Sequence, residues 1–330
     1  MPQAQLPIIL DKLISLTSER ESYALESALE KTLRAIANIS NTVVYSAGDI
    51  IRAKHNHINS KQHFSDCGAT PIDIVDRLFH CLETAKVASI LLDENKKLTL
   101  FPLLCSKQNP IAVIKVEETI EPPHDDLTVK ILSIYHNFLS LMHDNERDTL
   151  TGLLNRKTFD SKINIITSDI QSTSPNQDNS NFTYLAIFDL DHFKRINDMY
   201  GHLIGDEVLL LFSQQMEKNF RDKDLLFRFG GEEFVGIFQC PHDDTMLHII
   251  DRFRTSIADF QFPQVGKVTI SCGFTKIHPF DLSSQMIDRA DTALYHAKKH
   301  GRNAVYQHEQ LVALGLLAAP HTNSGDIELF

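Results

Sequence analysis

The apolar residues of this chain change their spacing several times, and each change marks an element. From Ser18 to Ile36 they recur every three or four residues, so Leu25, Leu29, Leu33 and Ile36 share one helical stripe, with Ser18 and Glu21 spaced as a capping box at its start. The run Thr42-Val43-Val44-Tyr45 is β-branched and aromatic, which suits a strand, and a polar loop is expected from there through His63. A helical stretch near Ile72 to Lys86 leads into the apolar run Val87 to Leu92. Leu98 to Leu104 and Ile111 to Val116 then read as two strands separated by polar residues and Pro110. Helix, strands and a closing helix predict an α+β unit.

Between Asp126 and Asp148 the spacing alternates between four and three. Leu127, Ile131, Ile134, Phe138, Leu141, Asn145 and Asp148 fall on one heptad seam, and Asn145 is the kind of polar seam residue that fixes register in a parallel helix pair. Packing of the stripe on its own domain is the alternative. Thr167 to Asn181, rich in Ser, Asn, Gln and Thr, reads as a surface loop ahead of the strand Tyr184 to Phe188. Helices near Ile204 to Asn219, Thr245 to Ala258 and Met286 to His300 then alternate with a strand-turn-strand at Gly230-Gly231 and the strand Val268 to Gly273. That is an α/β order with a central sheet. Leu311, Leu314, Leu316 and Leu317, ahead of Pro320, suggest a short helix packing on the sheet or on a partner.

A length of 330 residues suffices for about two domains, each with a core. The net charge of -11 argues against a broad nucleic-acid face, so a nucleotide must be held by local groups and metal. The longest apolar stretches, such as Leu311 to Ala319, are too short to span a bilayer, and the N-terminus lacks a basic segment followed by an apolar one. A cytoplasmic protein without membrane contact is expected. Cys67, Cys81, Cys105, Cys240 and Cys272 are scattered without a CxxC pair and read as structural thiols of a reducing compartment. His55, His57 and His63 have a metal-like spacing, but no Cys or acid completes a site, and a solvated loop is the preferred reading.

Two acidic runs carry the chemistry. In Arg228-Phe229-Gly230-Gly231-Glu232-Glu233-Phe234, two glycines permit close approach of a ligand, and adjacent acids at a turn suit a divalent cation; a solvated hairpin tip is the plainer reading. About forty residues earlier, Phe188-Asp189-Leu190-Asp191 ends an apolar segment. If the two turns meet, Asp189, the Leu190 carbonyl, Glu232 and Glu233 supply the oxygen donors that Mg2+ prefers.

Six blocks together resemble the GGDEF domain of diguanylate cyclases, in its GGEEF variant. They are Asp148-Thr149-Leu150-Thr151-Gly152-Leu153-Leu154-Asn155-Arg156, Phe188 through Asp198, Gly201-His202-Leu203-Ile204-Gly205-Asp206, the Gly-Gly signature, Ser271-Cys272-Gly273, and Ala290 through Asn303. The resemblance implies a nucleotidyl cyclase or palm-type fold, a mainly antiparallel sheet flanked by helices. It also implies condensation of two GTP into cyclic di-GMP and two pyrophosphates, by a dimer using Mg2+ (or Mn2+). By the family's pattern, Asp189, Leu190, Glu232 and Glu233 hold the metal; Glu232, Glu233 and Lys194 are catalytic, with Glu232 the usual base. Phe193, Lys194, Asn197, His202, Asp206, Gly230, Gly231, Lys298 and Arg302 would bind GTP. Asn197 and Asp206 would read guanine, since an amide and a carboxylate match its O6 acceptor and N1 and N2 donors. Outside the motif these two would read as a helix cap and a helix N-terminal acid. Asp191 is expected to support the turn or the second metal shell, and Lys299 and His300 to face solvent.

Arg221 and Asp224, just ahead of Gly230, match the family's product-inhibition site, where arginine chelates phosphate and stacks on guanine; Arg252 stands where some members place a second arginine. The N-terminal half resembles a GAF domain over about residues 20 to 140, with a PAS-like module as competitor. Phe101-Pro102-Leu103 and Ile111 to Ile114 carry that likeness, followed by the acidic, proline-containing turn Glu117 to Pro123 and the long helix. No residue there names a ligand. The expected organisation is a GAF-like sensory domain over 1–125, a connecting helix or coiled coil over 126–148, the cyclase domain over 149–308 and a tail over 309–330. A silent receptor for cyclic di-GMP or GTP is the alternative function. A purine nucleotidyl cyclase or palm-type polymerase is a third.

Overall fold

The computed structural model describes residues 6–18, 22–37, 39, 41–56, 71–92, 95–105, 109–119, 125–172, 181–221 and 223–317. It divides into two units, Met1–Asn145 and Glu146–Phe330. The first contains α1 (Leu6–Ser18), α2 (Ser22–Ala37), β1 (Asn41–Ser46), α3 (Ala47–Asn56), α4 (Pro71–Thr84), β2 (Ala88–Leu91), β3 (Lys96–Leu104), β4 (Pro110–Thr119) and α5 (Asp125–Glu146). Its sheet runs β1-β4-β3-β2, antiparallel throughout. Strand alternation sends Ile114 and Val116 to one face, where Leu25, Leu29 and Leu33 of α2 meet Ile131, Leu132 and Tyr135 of α5. Val113 and Leu100 point to the other face, covered by Ile50 of α3 and Ile74, Leu78 and Cys81 of α4.

Two local expectations fail here for identifiable reasons. Ser18 does not cap α2. It closes α1, its hydroxyl donating to the Ser15 carbonyl at 2.8 Å, which is the alternative use of a serine at a helix end; Glu21 lies outside the described residues. The stretch after β1, expected as a loop, begins with α3. The Ser46 hydroxyl accepts from the Asp49 N–H at 3.1 Å and donates to the Asp49 carboxylate at 2.7 Å, a capping arrangement that starts the helix. His57, His63 and Cys67 lie outside the described residues, as does the His55 side chain.

The heptad stripe of α5 is split. Ile131 is buried and Phe138 packs on the same core, together with Leu132, Tyr135, Leu139 and Met142, so the face that packs on its own unit is broader than the seam and rotated from it. Ile134 and Leu141 stay exposed, Leu141 at 68 %, and Asn145 is exposed. The Leu127 side chain lies outside the described residues.

The second unit contains β5 (Leu154–Asn155), α6 (Arg156–Ser172), β6 (Phe182–Leu190), α7 (Phe193–Tyr200), α8 (His202–Asn219), β7 (Leu225–Gly230), β8 (Glu233–Cys240), α9 (Asp243–Asp259), β9 (Gln261–Phe262), β10 (Gly266–Lys267), β11 (Ile270–Lys276), α10 (Ser283–Lys299), β12 (Val305–Gln307) and α11 (His308–Ala313). Its main sheet runs β12-β11-β6-β8-β7-β5. The inner pairs are antiparallel, and β12 and β5 join the edges in parallel. Central β6 is buried on both sides. Tyr184, Ala186, Phe188 and Leu190 face a core with Phe212 of α8 and Phe253 of α9, and Leu185 and Ile187 face Phe159 of α6 and Met286, Ala290 and Leu294 of α10.

Here too the sequence reading needs correction. α6 continues to Ser172, because Thr167 is buried and its hydroxyl donates to the Ile163 carbonyl at 3.1 Å; a polar composition did not end the helix. Leu311 of α11 is buried on this unit, whereas Leu314 and Leu316 are exposed. The four described cysteines, Cys81, Cys105, Cys240 and Cys272, are buried free thiols. Among the described residues, no helix is long and apolar enough to cross a membrane.

Candidate active site

The two acidic runs meet because β6 and β8 are neighbours. Their register sets Asp189 opposite Glu233, and the Leu190 N–H donates to the Glu232 carbonyl at 3.5 Å. Asp189 is 4 % exposed. From the last turn of α10, Lys298 reaches its carboxylate, with Nζ 2.8 Å from Oδ2. Burial pushes the Asp189 pKa up, Lys298 opposes this, and Glu233 and Asp191 add to the rise. Glu232 is raised as well, first by burial and then by Asp189 and Glu233, against Lys298. One lysine thus faces a surplus of negative charge.

The turn carrying Glu232 is braced by a side chain whose role the sequence did not reveal. Arg228, at the register shift between β7 and β8, donates from Nε and Nη2 to the Gly231 carbonyl at 3.2 and 3.0 Å. Its Nη1 lies 3.1 and 3.3 Å from the two carboxylate oxygens of Asp148. Asp148 also accepts from the Thr151 N–H and hydroxyl at 2.9 and 2.8 Å. Burial would raise its pKa, but Thr151 and Arg228 together hold it below the usual carboxylate range. Both residues stand in the quoted motifs, yet nothing local pairs positions eighty apart.

Asp191 is a keystone of the turn, as expected. Its carboxylate accepts from the Thr269 and Ser271 hydroxyls, each at 2.7 Å, and from the Asn303 N–H at 3.0 Å. This ties β6 to β11 and to the segment after α10, where Gly301, Arg302 and Asn303 all have positive φ. Arg302 is thereby held beside the helix end that bears Lys298, its N–H donating to the Ala297 carbonyl at 3.0 Å.

The expected GTP residues of α7 and α8 divide by exposure. The Phe193 side chain belongs to the core, so only its backbone faces outward chemistry; Lys194, His202 and Asp206 are exposed, and Asn197 is half-buried. Asn197 lies directly on Gly205, where an added Cβ would fall 1.9 Å from its Oδ1. The glycine preceding Asp206 is therefore what gives the Asn197 amide its room.

This part of the chain matches the family model for the diguanylate cyclase GGDEF domain over residues 145–304. Over those residues the chain is similar to a GGDEF domain. Diguanylate cyclase DgcM of Escherichia coli is 38% identical over 166 residues, half of this chain and 39% of that protein. Diguanylate cyclase DgcP of Pseudomonas aeruginosa is 36% identical over 159 residues, 47% of this chain and 23% of that protein. The chain thus spans well under half the length of these curated relatives. A solved structure of the coiled coil and GGDEF domain of DgcB from Caulobacter crescentus, in complex with c-di-GMP, aligns at 26% identity and a TM-score of 0.49, covering 55% of this chain and 95% of that one.

Within the second unit, the residues near Asp189 fit a hard divalent cation. Carboxylate and carbonyl oxygens dominate, and the pKa values of Asp189 and Glu232 are raised first by burial and further by the neighbouring carboxylates. Among the described residues, no three His, Cys, Asp or Glu side chains converge into a closed ligand set, so a cation here would draw further oxygens from backbone, water or substrate.

The Arg221 to Asp224 turn lies between α8 and β7 of the second unit. Asp224 accepts from the Arg221 N–H at 2.8 Å, and the Asp224 N–H donates to the Arg221 carbonyl at 2.9 Å, leaving the Arg221 side chain exposed. Burial raises the Asp224 pKa, against the Arg221 N–H and the charges of Arg221 and Lys223. Arg252 of α9 reaches the same place, donating to the Asn219 carbonyl at 3.3 Å. Asp222 lies outside the described residues.

Proposed function

We propose that the chain is a diguanylate cyclase that condenses two GTP into cyclic di-GMP and two pyrophosphates. The observation that carries this reading is the in-register meeting of Asp189 and Glu233 beneath the Glu232 turn, with Lys298 2.8 Å from Asp189. In each of two equivalent steps, the 3′-oxygen of one GTP bonds to the α-phosphorus of the other and the bond to the β-phosphate oxygen breaks. The hydroxyl proton leaves to a base, for which Glu232 is the candidate. A Mg2+ or Mn2+ ion held by Asp189, the Leu190 carbonyl, Glu232 and Glu233 would neutralise charge on the transferring phosphate. Lys194, Lys298, Arg302 and backbone from Phe193 would hold the triphosphate, with Gly230 and Gly231 letting it approach the hairpin. Asn197 and Asp206 would select guanine, and His202, exposed at the start of α8, would join them in binding GTP.

One domain holds one GTP, so turnover needs two facing copies, and the exposed Ile134 and Leu141 of α5 support a homodimer. Arg221, Asp224 and Arg252 would bind product and inhibit. The N-terminal unit, read as GAF-like, would control the pairing in response to a ligand not identified by its residues. The test is incubation of purified protein with GTP and Mg2+ and chromatographic detection of cyclic di-GMP. Glu232→Gln should abolish the product while leaving the fold intact, and Arg221→Ala should keep activity but lose product inhibition. Absence of product from dimeric wild-type protein would overturn the reading in favour of a silent receptor.

A further inference from the structure

The face of α7 turned away from α8 borders a cleft of about 270 Å3, closed on its other side by the β9–β10 hairpin and the segment leading into β11. Its floor is apolar: Ile196 and Val268 are buried, and Val265 is half-buried. Arg195, Lys267 and Tyr200, all exposed, line it as well. Spacing along α7 separates this cleft from the GTP residues. His192, Arg195, Ile196, Met199 and Tyr200 share one face, whereas Phe193 and Asn197 pack towards Gly205 of α8.

The charges in this cleft run against the rest of the molecule. Acids outnumber bases 43 to 32 over the whole chain, yet among the described residues neither Arg195 nor Lys267 forms an ion pair. The lining holds one carboxylate, Asp191, which already accepts from Thr269, Ser271 and Asn303 and is 5 % exposed. Two cations that form no ion pair among the described residues, facing one buried carboxylate across an apolar floor, leave an excess of positive charge complementary to an anion with an apolar body. The volume lies just below the ~300 Å3 at which pockets for drug-sized ligands begin, so the occupant is small.

We propose that this cleft is a binding site for a small organic anion, a ring or short apolar body bearing one carboxylate or phosphate. The apolar part would rest on Ile196, Val265 and Val268, with the anionic group between Arg195 and Lys267. The proposal is independent of the cyclase reading, because it requires no GTP and no metal. Phenyl phosphate is a suitable probe, titrated calorimetrically into the full-length protein, with inorganic phosphate and benzyl alcohol as the charge alone and the ring alone. The expected result is measurable binding of phenyl phosphate, weaker binding of both controls, and a loss of about tenfold or more in the Arg195→Ala/Lys267→Ala double variant. Both side chains are exposed and make no internal ion pair, so unchanged circular dichroism should accompany that loss. Lys194→Ala, on the GTP side of α7, should bind phenyl phosphate as wild type does. Undiminished binding in the double variant, loss of binding in Lys194→Ala, inorganic phosphate matching phenyl phosphate, or no binding at all would each overturn the proposal.

Discussion

Replacing Arg228 by alanine tests whether the Gly-Gly turn is held from the entry of the domain. The guanidinium makes two contacts with the Gly231 carbonyl, at 3.2 and 3.0 Å, and two with the Asp148 carboxylate, at 3.1 and 3.3 Å. Hydrogen bonds to charged groups contribute about 1.5 to 3 kcal/mol each where buried. These contacts share one rigid group, and the Arg228 and Asp148 side chains are 16 and 23 % exposed, so the sum must be discounted. Asp148 keeps both bonds from Thr151 and is not orphaned. A loss of about 2 kcal/mol in unfolding free energy is expected, measured by urea denaturation with an unchanged m-value. In a double-mutant cycle with Asp148→Ala the coupling should be about 1 kcal/mol. Activity should fall further than stability explains, by about tenfold or more under conditions where the variant is fully folded, because the freed turn carries Glu232. Arg228→Lys should not restore it, since an ammonium cannot bridge carbonyl and carboxylate in the plane of a fork. A folded Arg228→Ala variant with wild-type turnover, or a coupling energy indistinguishable from zero, would refute the reasoning.

Two glycine substitutions should separate site from scaffold. Gly205→Ala meets chiefly the end of the Asn197 side chain, which can swing away, and the edge of the Phe193 ring at 3.3 Å; stability should change by less than about 1 kcal/mol while KM for GTP rises. Gly273→Ala meets backbone at 2.2 Å on both the Ala290 carbonyl and the Leu294 nitrogen, and should cost several kcal/mol or prevent folding, read as soluble yield and Tm. Asp191→Ala leaves two hydroxyls and one N–H without their acceptor and should cost about 3 kcal/mol, with release of the Asn303 segment visible as faster amide exchange. Burial would raise the pKa of Asp281, but Arg289, at 2.6 Å, and the His278 N–H hold it below its unfolded value. Its stabilisation is therefore present above about pH 4 and lost as pH falls through the folded pKa; Asp281→Asn should flatten urea stability against pH in that acid range, and an unchanged slope would count against the pairing.

The sheets were largely legible in the sequence because their signal is local. The apolar runs at Ile111 to Val116 and ending at Phe188 gave the strands, and the stripe through Leu25, Leu29 and Leu33 gave the helix that covers one sheet. The acids at Asp189 and Glu232 were readable as a pair because one ends an apolar run and the other stands at a glycine turn between two, although their register had to come from the fold. What stayed hidden depends on pairing across sequence. Arg228 with Asp148 and Asp191 with Asn303 follow from which strands lie side by side, and no spacing rule reaches that far. The β9–β10 hairpin escaped for a different reason: two-residue strands are too short to show alternation. At α3 the signal was present and overlooked, since Ser46 and Asp49 carry the start of a helix inside a polar stretch.

The glycines distinguish what the fold requires from what a ligand requires. Gly273 is fixed by the approach of α10, whose backbone occupies the space of a Cβ. Gly205 is fixed by a side chain of the candidate site. Gly230 and Gly231 are fixed by neither: both have ordinary φ, a Cβ at Gly230 would meet only the Glu233 carboxylate at 3.5 Å, and one at Gly231 would meet nothing within 4 Å. Inside the folded chain, alanine would fit at either position and would lower the entropy lost on folding. A demand for glycine there must come from outside the fold, from a group that has to lie against the bare backbone of the turn. A turn that meets a ligand in this way would differ from a solvated hairpin tip, where alanine would be tolerated in function as well as in the fold. Gly231→Ala should therefore bind GTP more weakly at unchanged or raised Tm, and equal GTP affinity in the two proteins would return the turn to the plainer reading.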